Sequence, residues 1–219
     1  MPDTRQLPLP FIHRPEFAGD FLEAASNAAA LTWLARAGDW PGGRLAIWGD
    51  AGCGKTHLLH HWVGRVGGRY LCGPVLRQDP PTTALAIDDA DAVPEPTVLL
   101  HILNAAAEAG LPVLLAARQA PARWRACLPD LASRLRAVTA VEIGPAEDSL
   151  LKALFARLLA DRVQVPACLQ DWIRLRLPRT PGALREAAAR LDRASLAAGG
   201  AVTRSLAASL LEGLRQGEG

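Results

Sequence analysis

Apolar residues along this chain fall into two textures. Up to about residue 145, short continuous apolar runs alternate with stretches of helical period. Beyond it, only helical period remains. The runs RLAIW (44–48), RYLC (69–72), ALAI (84–87), PVLLAA (112–117) and VTAVEI (138–143) are too short for helices and too apolar for a sheet wetted on one face. They predict buried strands. Between them, helices are expected from Ser26 to Ala37, from Lys55 to near Gly67, from Thr97 to Ala109 and, as a short helix or turn, from Leu128 to Leu135. Ser26 or Asn27 can cap the first, and Gly38 and Gly110 are stop signals. Strands alternating with helices imply a parallel sheet covered on both faces, an α/β fold.

After Pro145 the periodic segments Glu147–Leu159, Ala167–Arg176, Leu184–Ala197 and Thr203–Leu214 predict a small helical domain. At the other end, MPDTRQLPLPFIHRPE holds four prolines and no helical period, so residues 1–16 read as an extended tail. The expected division is therefore a tail over 1–16, an α/β domain over 17–145 and a helical domain over 146–219.

Composition narrows the class. Half of the 219 residues are apolar and 21% are charged, enough to bury a core and too balanced for gross disorder. A net charge of +2 is too mild to argue for nucleic acid. Cys53, Cys72, Cys127 and Cys168 form no CxxC pair, and such scattered thiols read as reduced residues of a cytoplasmic protein. No signal peptide and no apolar run of about 18 residues is evident, so no membrane association is expected.

The strongest chemical signal is GDAGCGKT, from Gly49 to Thr56. It fits G-x-x-x-x-G-K-[ST], follows an apolar strand and opens a helix, as a phosphate-binding loop must. Gly49, Gly52 and Gly54 let the backbone curl so that successive N–H groups, Cys53 and His57 included, face phosphate oxygens. The helix adds its positive end. Lys55 supplies a cation for the β- and γ-phosphates, and Thr56 a hydroxyl for Mg²⁺. Downstream, LAIDDADAV delivers Asp88 to the carboxyl end of the sheet, where it can hold Mg²⁺ through water. Asp89 is placed to orient or activate an attacking water. Asp91 reads as a solvated charge at a helix start. His60 and His61 are adjacent and face different ways on a helix, so they do not chelate as an i, i+4 pair would. The six tryptophans read as core or interface residues.

In QLPLPF, Leu7, Leu9 and Phe11 alternate, with Gln6 as a polar handle. An extended peptide with alternating apolar anchors can dock into a groove on another protein. The bland alternative is a tail strand on its own domain, or disorder.

Taken together, these residues resemble the AAA+ proteins of the DnaA group, and within them the short Hda type, the regulatory inactivators of DnaA. Four stretches carry the resemblance, which covers nearly the whole chain. LLHILNAAAEAGLPVLLAARQAP (99–121) is similar to the segment joining Walker B to sensor 1, with His101 and Asn104 in place. LPDLASRLRAV (128–138) resembles the box that supplies an arginine finger, here Arg134. RTPGALREAAARLDRASL (179–196) resembles the sensor 2 region and places its arginine at Arg179. QLPLPF resembles the sliding-clamp binding peptide. The resemblance implies an AAA+ fold with a five-stranded parallel sheet and a helical lid, and bound ADP or ATP with Mg²⁺. It places Phe21, Leu22 and Asn27 at the adenine and ribose, where a core and helix-cap reading also stands. It implies the β subunit sliding clamp of DNA polymerase III and DnaA as partners, with homo-oligomers open. The finger would reach a neighbour's nucleotide. The alternative for Arg134 and Arg179 is an ordinary solvated arginine, as Arg136 reads.

Two departures matter. The sensor 1 strand ends Ala116-Ala117-Arg118, where relatives often carry a polar residue. Alanine cannot position a water, so retention of ADP as a structural switch stands beside hydrolysis. The chain also ends soon after the lid, without a helix-turn-helix, so no direct sequence-specific DNA binding is expected. The leading expectation is a regulator that promotes hydrolysis of DnaA-bound ATP. An autonomous ATPase such as a helicase loader, or a small-molecule kinase on the same loop, remains the alternative.

Overall fold

A computed structural model describes residues 22–125, 127–160, 162–198 and 202–216. Five strands, β1 (Arg44–Trp48), β2 (Arg69–Cys72), β3 (Leu85–Asp88), β4 (Val113–Ala117) and β5 (Thr139–Glu142), form one sheet in the order β2-β3-β4-β1-β5. Every pairing is parallel. Each apolar run is a strand for the reason its composition suggests: alternate residues enter opposite cores. Leu45, Ile47, Leu114, Ala116 and Ala86 join the cluster on one face. Ala46, Val113, Leu115, Leu85 and Ile87 join the cluster on the other.

Helices α1 (Ala25–Leu34) and α2 (Lys55–Val66) cover the first face. Helices α3 (Pro96–Glu108) and α4 (Pro129–Ala137) cover the second. In α2 the buried residues are Lys55, Leu58, Leu59 and Trp62, the i, i+3, i+4, i+7 stripe of an amphipathic helix. Trp62 is fully buried and stacks on Trp40 at 5.2 Å between ring centroids. Such a pair adds about 0.5–1.5 kcal/mol beyond its buried area.

Two helix starts differ from expectation. The N-cap of α1 is Ala24, not Ser26 or Asn27. Asn27 instead lies inside the first turn, and its Oδ1 accepts the Ala24 N–H at 3.0 Å. The helix also stops at Leu34, because a 3-10 turn over Ala37–Asp39 brings Trp40 round to donate its indole N–H to the Trp33 carbonyl at 2.8 Å.

The remaining helices are α5 (Asp148–Ala160), α6 (Ala167–Arg174), α7 (Pro181–Ala198) and α8 (Arg204–Gln216). They have a core of their own, with Leu151, Phe155, Ile173, Leu184 and Leu191 among its buried residues. Helix α7 begins three residues before the expected Leu184. Thr180 Oγ1 accepts the Ala183 N–H at 3.2 Å, a side-chain cap, and Pro181 fills the first helical position, where its missing N–H costs nothing.

Candidate functional site: the carboxyl edge of the sheet

The strand order reverses at β1. The chain leaves β1 for the far edge, returns through β3 and β4, and places β5 on the other side. In an open parallel sheet the crevice beyond such a switch point is where ligands bind. Register brings the ends together there: Trp48 lies opposite both Ala117 and Glu142, and Cys72 opposite Asp88.

The loop after β1 depends on glycine at two crowded points. A Cβ on Gly49 would lie 2.5 Å from the Ile143 carbonyl and 3.2 Å from Cys53 Sγ. Gly52 has φ +78, and a Cβ there would meet the Thr180 side chain at 3.2 Å. The second contact shows that the start of α7 rests on the loop. Lys55 is 8% exposed. Its ammonium donates to the carbonyls of Gly49 and Asp50, both at 2.8 Å, and lies 3.8 Å from Cys53 Sγ. A cation is thus stored inside the loop that would face phosphate.

Asp88 ends β3 and is 5% exposed. A buried carboxylate needs donors, and three reach it. Thr56 Oγ1 donates to Oδ2 at 2.6 Å, the Tyr70 hydroxyl donates to Oδ2 at 3.0 Å, and the Asp89 N–H donates to Oδ1 at 3.0 Å. Burial, then the Asp88 charge, holds the Tyr70 phenol well above its ordinary range. Asp89 is exposed and left-handed, with φ 46, and is the one non-glycine residue at positive φ among the described residues. Aspartate tolerates that conformation better than most residues. The turn sets two carboxylates side by side, one buried and one in solvent.

Among the described residues no three His, Cys, Asp or Glu side chains converge as metal ligands. A divalent ion here would draw on oxygen donors alone. The neighbouring Thr56 hydroxyl and Asp88 carboxylate fit Mg²⁺, which takes one or two protein oxygens and completes its shell with water and phosphate.

The end of β4 is held differently from expectation. Ala116 and Ala117 are buried. The Arg118 N–H donates to Asp91 Oδ2 at 3.2 Å, so Asp91 is an anchor between two loops, not a merely solvated charge.

The lid arginines separate. Arg179 is 67% exposed and pairs with Asp148 at 3.0 Å, an oxygen it shares with Arg174 at 3.1 Å. Arg185 is half-buried, three residues on from Gly182, whose added Cβ would lie 3.7 Å from Gly52 Cα. Residues i and i+3 share a helix face, so Arg185 lies on the side of α7 turned to the loop. Its charge acts on His57 in the first turn of α2. Burial first, then Arg185, His61, His60 and Arg157, pushes the His57 pKa down to about 4. Sequence reasoning passed over Arg185. Its spacing from the capping Thr180 and Pro181 is the signal that marks it.

That histidine has a consequence for pH. Its folded value of about 4 lies below the ordinary 6.5, so its contribution is intact above pH 6.5 and is lost as pH falls toward 4. Discounted for partial exposure, the loss is about 1 kcal/mol. Replacing His57 with Asn should remove that loss. Urea denaturation of both proteins at pH 7 and pH 4.5 measures it, and parallel pH slopes would refute it.

Arg134 lies elsewhere. It lies in the last turn of α4, which ends just before β5, whose first residue Thr139 pairs with Leu45. Its charge acts on Arg44, the first residue of β1, and Asp130 pairs with it at 3.3 Å. The P-loop leaves the other end of β1, about 13 Å along the strand at 3.3 Å per residue. Arg134 is therefore not gathered with Lys55, Thr56 and Asp88. Asn27 is buried and tied to its own segment, its Nδ2 donating to the Leu22 carbonyl at 3.0 Å. Phe21 and the tail residues Gln6, Leu7, Leu9 and Phe11 lie outside the described residues.

A second feature had no sequence signal. Glu147, just before α5, accepts the Ser26 N–H at 2.8 Å and the Ser26 hydroxyl at 3.1 Å. Its own backbone N–H and the two Ser26 donors hold its carboxyl below the usual range. The lid is thus fastened to the start of α1.

Sheet, loop and flanking helices together have the fold of AAA+ P-loop NTPases. Among solved structures, the chain is similar to domain III of the replication initiation protein DnaA from Thermotoga maritima, with a TM-score of 0.74 and 20% identity over 88% of this chain and 93% of that one. It is similar also to AMPPCP-bound DnaA from Aquifex aeolicus (TM-score 0.62, 18% identity, 76% of this chain) and spans 61% of that protein. A RuvB mutant from Thermotoga maritima gives a TM-score of 0.61 at 18% identity, over 87% of this chain and 68% of that one. No protein-family model and no curated protein matches the chain.

Proposed function

We propose that this chain is a nucleotide-holding regulator of replication initiation of the Hda type, acting on the ATP bound to DnaA. The observation that carries this is the separation of Arg134 from the chain's own P-loop. A guanidinium at the opposite end of the sheet suits a nucleotide held by another subunit better than the chain's own. There it would stabilise charge that develops during phosphoryl transfer.

The chain's own loop would hold ADP or ATP. Lys55 would turn from the Gly49 and Asp50 carbonyls to the phosphates, and the loop amides, those of Cys53, Gly54 and His57 among them, would donate to phosphate oxygens. Thr56 and Asp88 would hold Mg²⁺, which supplies charge neutralisation between the phosphates. Arg185 fits the lid's contact to the phosphates better than Arg179, because Asp148 already engages Arg179. Asp89 would orient water if the chain hydrolyses ATP itself. Ala116 and Ala117 leave that site without a polar group on β4, which favours retention over turnover. The tail over 1–16 would bring the molecule to the DNA-loaded clamp through Gln6, Leu7, Leu9 and Phe11, leaving the units over 17–145 and 146–219 to face DnaA.

The test is hydrolysis of DnaA-bound ATP with and without this protein and clamp loaded on DNA. Stimulation that needs all components supports the reading, and an unchanged rate refutes it. Replacing Leu9 and Phe11 together with Ala should reduce the stimulation at least tenfold at limiting protein, in step with lost clamp retention on a column. Unchanged retention would discard the clamp role. The intact Thr56–Asp88 geometry favours one second reading, an autonomous ATPase. High turnover by the isolated chain would select it.

A further inference from the structure

The Asp88 carboxylate has about four lone-pair positions. Three are filled: by Thr56 and Tyr70 on Oδ2, and by the Asp89 N–H on Oδ1. Two of these donors belong to the site itself, one from the loop and one from the backbone of the next residue. The third comes from outside it. Tyr70 lies on β2, the edge strand, two residues before the Cys72 that pairs with Asp88. Its ring is held in turn, stacked on His60 of α2 with centroids 4.1 Å apart and planes 18° apart. The hydroxyl is thus fixed by a strand on one side and a helix on the other.

Without that hydroxyl, Oδ2 would keep Thr56 alone and Oδ1 the Asp89 N–H, so each oxygen would offer one open acceptor position. With it, Oδ2 is committed on both lone pairs. The open acceptor position is then the second one on Oδ1. A metal-bound water approaching Asp88 meets one defined acceptor in place of two. Donors to a ligating or water-bridged carboxylate fix its orientation, and their loss commonly costs 10- to 100-fold in metal affinity.

We propose that Tyr70 is a positioning residue for Mg²⁺ in this site: its hydroxyl, clamped between β2 and α2, holds Asp88 in the orientation that receives the metal's water. This rests on the nucleotide-site reading given above and adds a residue to it. Tyr70 touches neither metal nor phosphate in this scheme. It acts through Asp88 alone, so metal-free nucleotide binding does not depend on it.

Tyr70→Phe isolates the hydroxyl, since phenylalanine keeps the ring stacked on His60. The measurement uses the full chain and a fluorescent ADP analogue. Nucleotide affinity is read first in EDTA, and the Mg²⁺ midpoint is then read at fixed nucleotide. The expected result is a metal-free affinity within about twofold of the parent and a Mg²⁺ midpoint raised about tenfold or more. An unchanged or lowered midpoint overturns the proposal. An equal loss with and without metal also overturns it, because that is the signature of a packing defect. A second variant tests the route. In an Asp88→Asn background, Tyr70→Phe should add no further shift in the midpoint. An additive shift would mean that Tyr70 acts by another path, against the proposal. Failure of the parent protein to bind the analogue, or to respond to Mg²⁺ at all, would instead refute the nucleotide-site reading itself.

Discussion

Replacing Arg134 with alanine is expected to cut the stimulated hydrolysis of DnaA-bound ATP by about a thousandfold, the lower end of what an arginine finger supplies. Affinity of the chain for its own nucleotide should stay within twofold of the parent. The two halves of this expectation come from one geometric fact. Arg134 lies in the last turn of α4, which leads into the amino end of β5 alongside the amino end of β1, and the P-loop leaves the carboxyl end. Nothing lost at one end should be felt at the other. The local cost is small, because the Asp130 pair is half-exposed and such pairs contribute about 0–1 kcal/mol. The fold should therefore survive. Single-turnover hydrolysis with clamp and DNA measures the first half, and nucleotide titration the second. Retained stimulation would remove the finger role. Weakened nucleotide binding would mean that the residue serves its own loop.

Replacing Lys55 with alanine is expected to weaken ADP and ATP binding about a hundredfold, measured by calorimetric titration. Hydrogen bonds to charged groups contribute about 1.5–3 kcal/mol, and 2.7 kcal/mol is about a hundredfold in affinity. Here the lysine has a second task. It already donates to the Gly49 and Asp50 carbonyls, so its loss leaves two loop carbonyls short of a donor even before nucleotide arrives. Lys55→Ala should therefore also lower thermal stability without ligand. An unchanged affinity would dismiss the loop as the phosphate site. If the adaptor reading is right, this variant should keep clamp retention while losing the posture of the lid over the loop.

Much of the scaffold was open to reading from the chain alone, because it is written locally. Each strand is a short apolar run bounded by turn residues, and α2 carries its buried stripe in plain spacing. The loop from Gly49 to Thr56 and the acid at Asp88 follow from strand context, which needs no tertiary knowledge. What stayed hidden depends on contacts between distant residues. Tyr70 reaches Asp88 because β2 pairs with β3, a register that no local pattern states. Glu147 fastens to Ser26 across more than a hundred residues. Arg179 heads the stretch that resembles sensor 2, yet the acid at the start of α5 claims it, while Arg185, on the face toward the loop, is marked only by its spacing from Thr180 and Pro181. The cap of α1 is hidden for the same reason. Ser26 looks like a cap, but its hydroxyl is spent on Glu147.

The order of strands also bears on how the molecule is made. β1 is synthesised first, yet its partners are β4 and β5, the last two strands to emerge. Pairing across such sequence separations is slow, since the intervening chain must be closed before any contact rewards it. The phosphate loop hangs from the end of β1 and leans on Ile143, beyond β5. It therefore takes shape only when nearly the whole α/β unit has assembled. A nucleotide that recognises this loop recognises an assembled α/β unit. At a hundredfold excess over its dissociation constant it adds about 2.7 kcal/mol to the folded state as a whole. In this chain, occupancy by nucleotide would act as a checkpoint of maturation: only molecules with that unit assembled would carry the ligand, and only those would be ready to engage a partner.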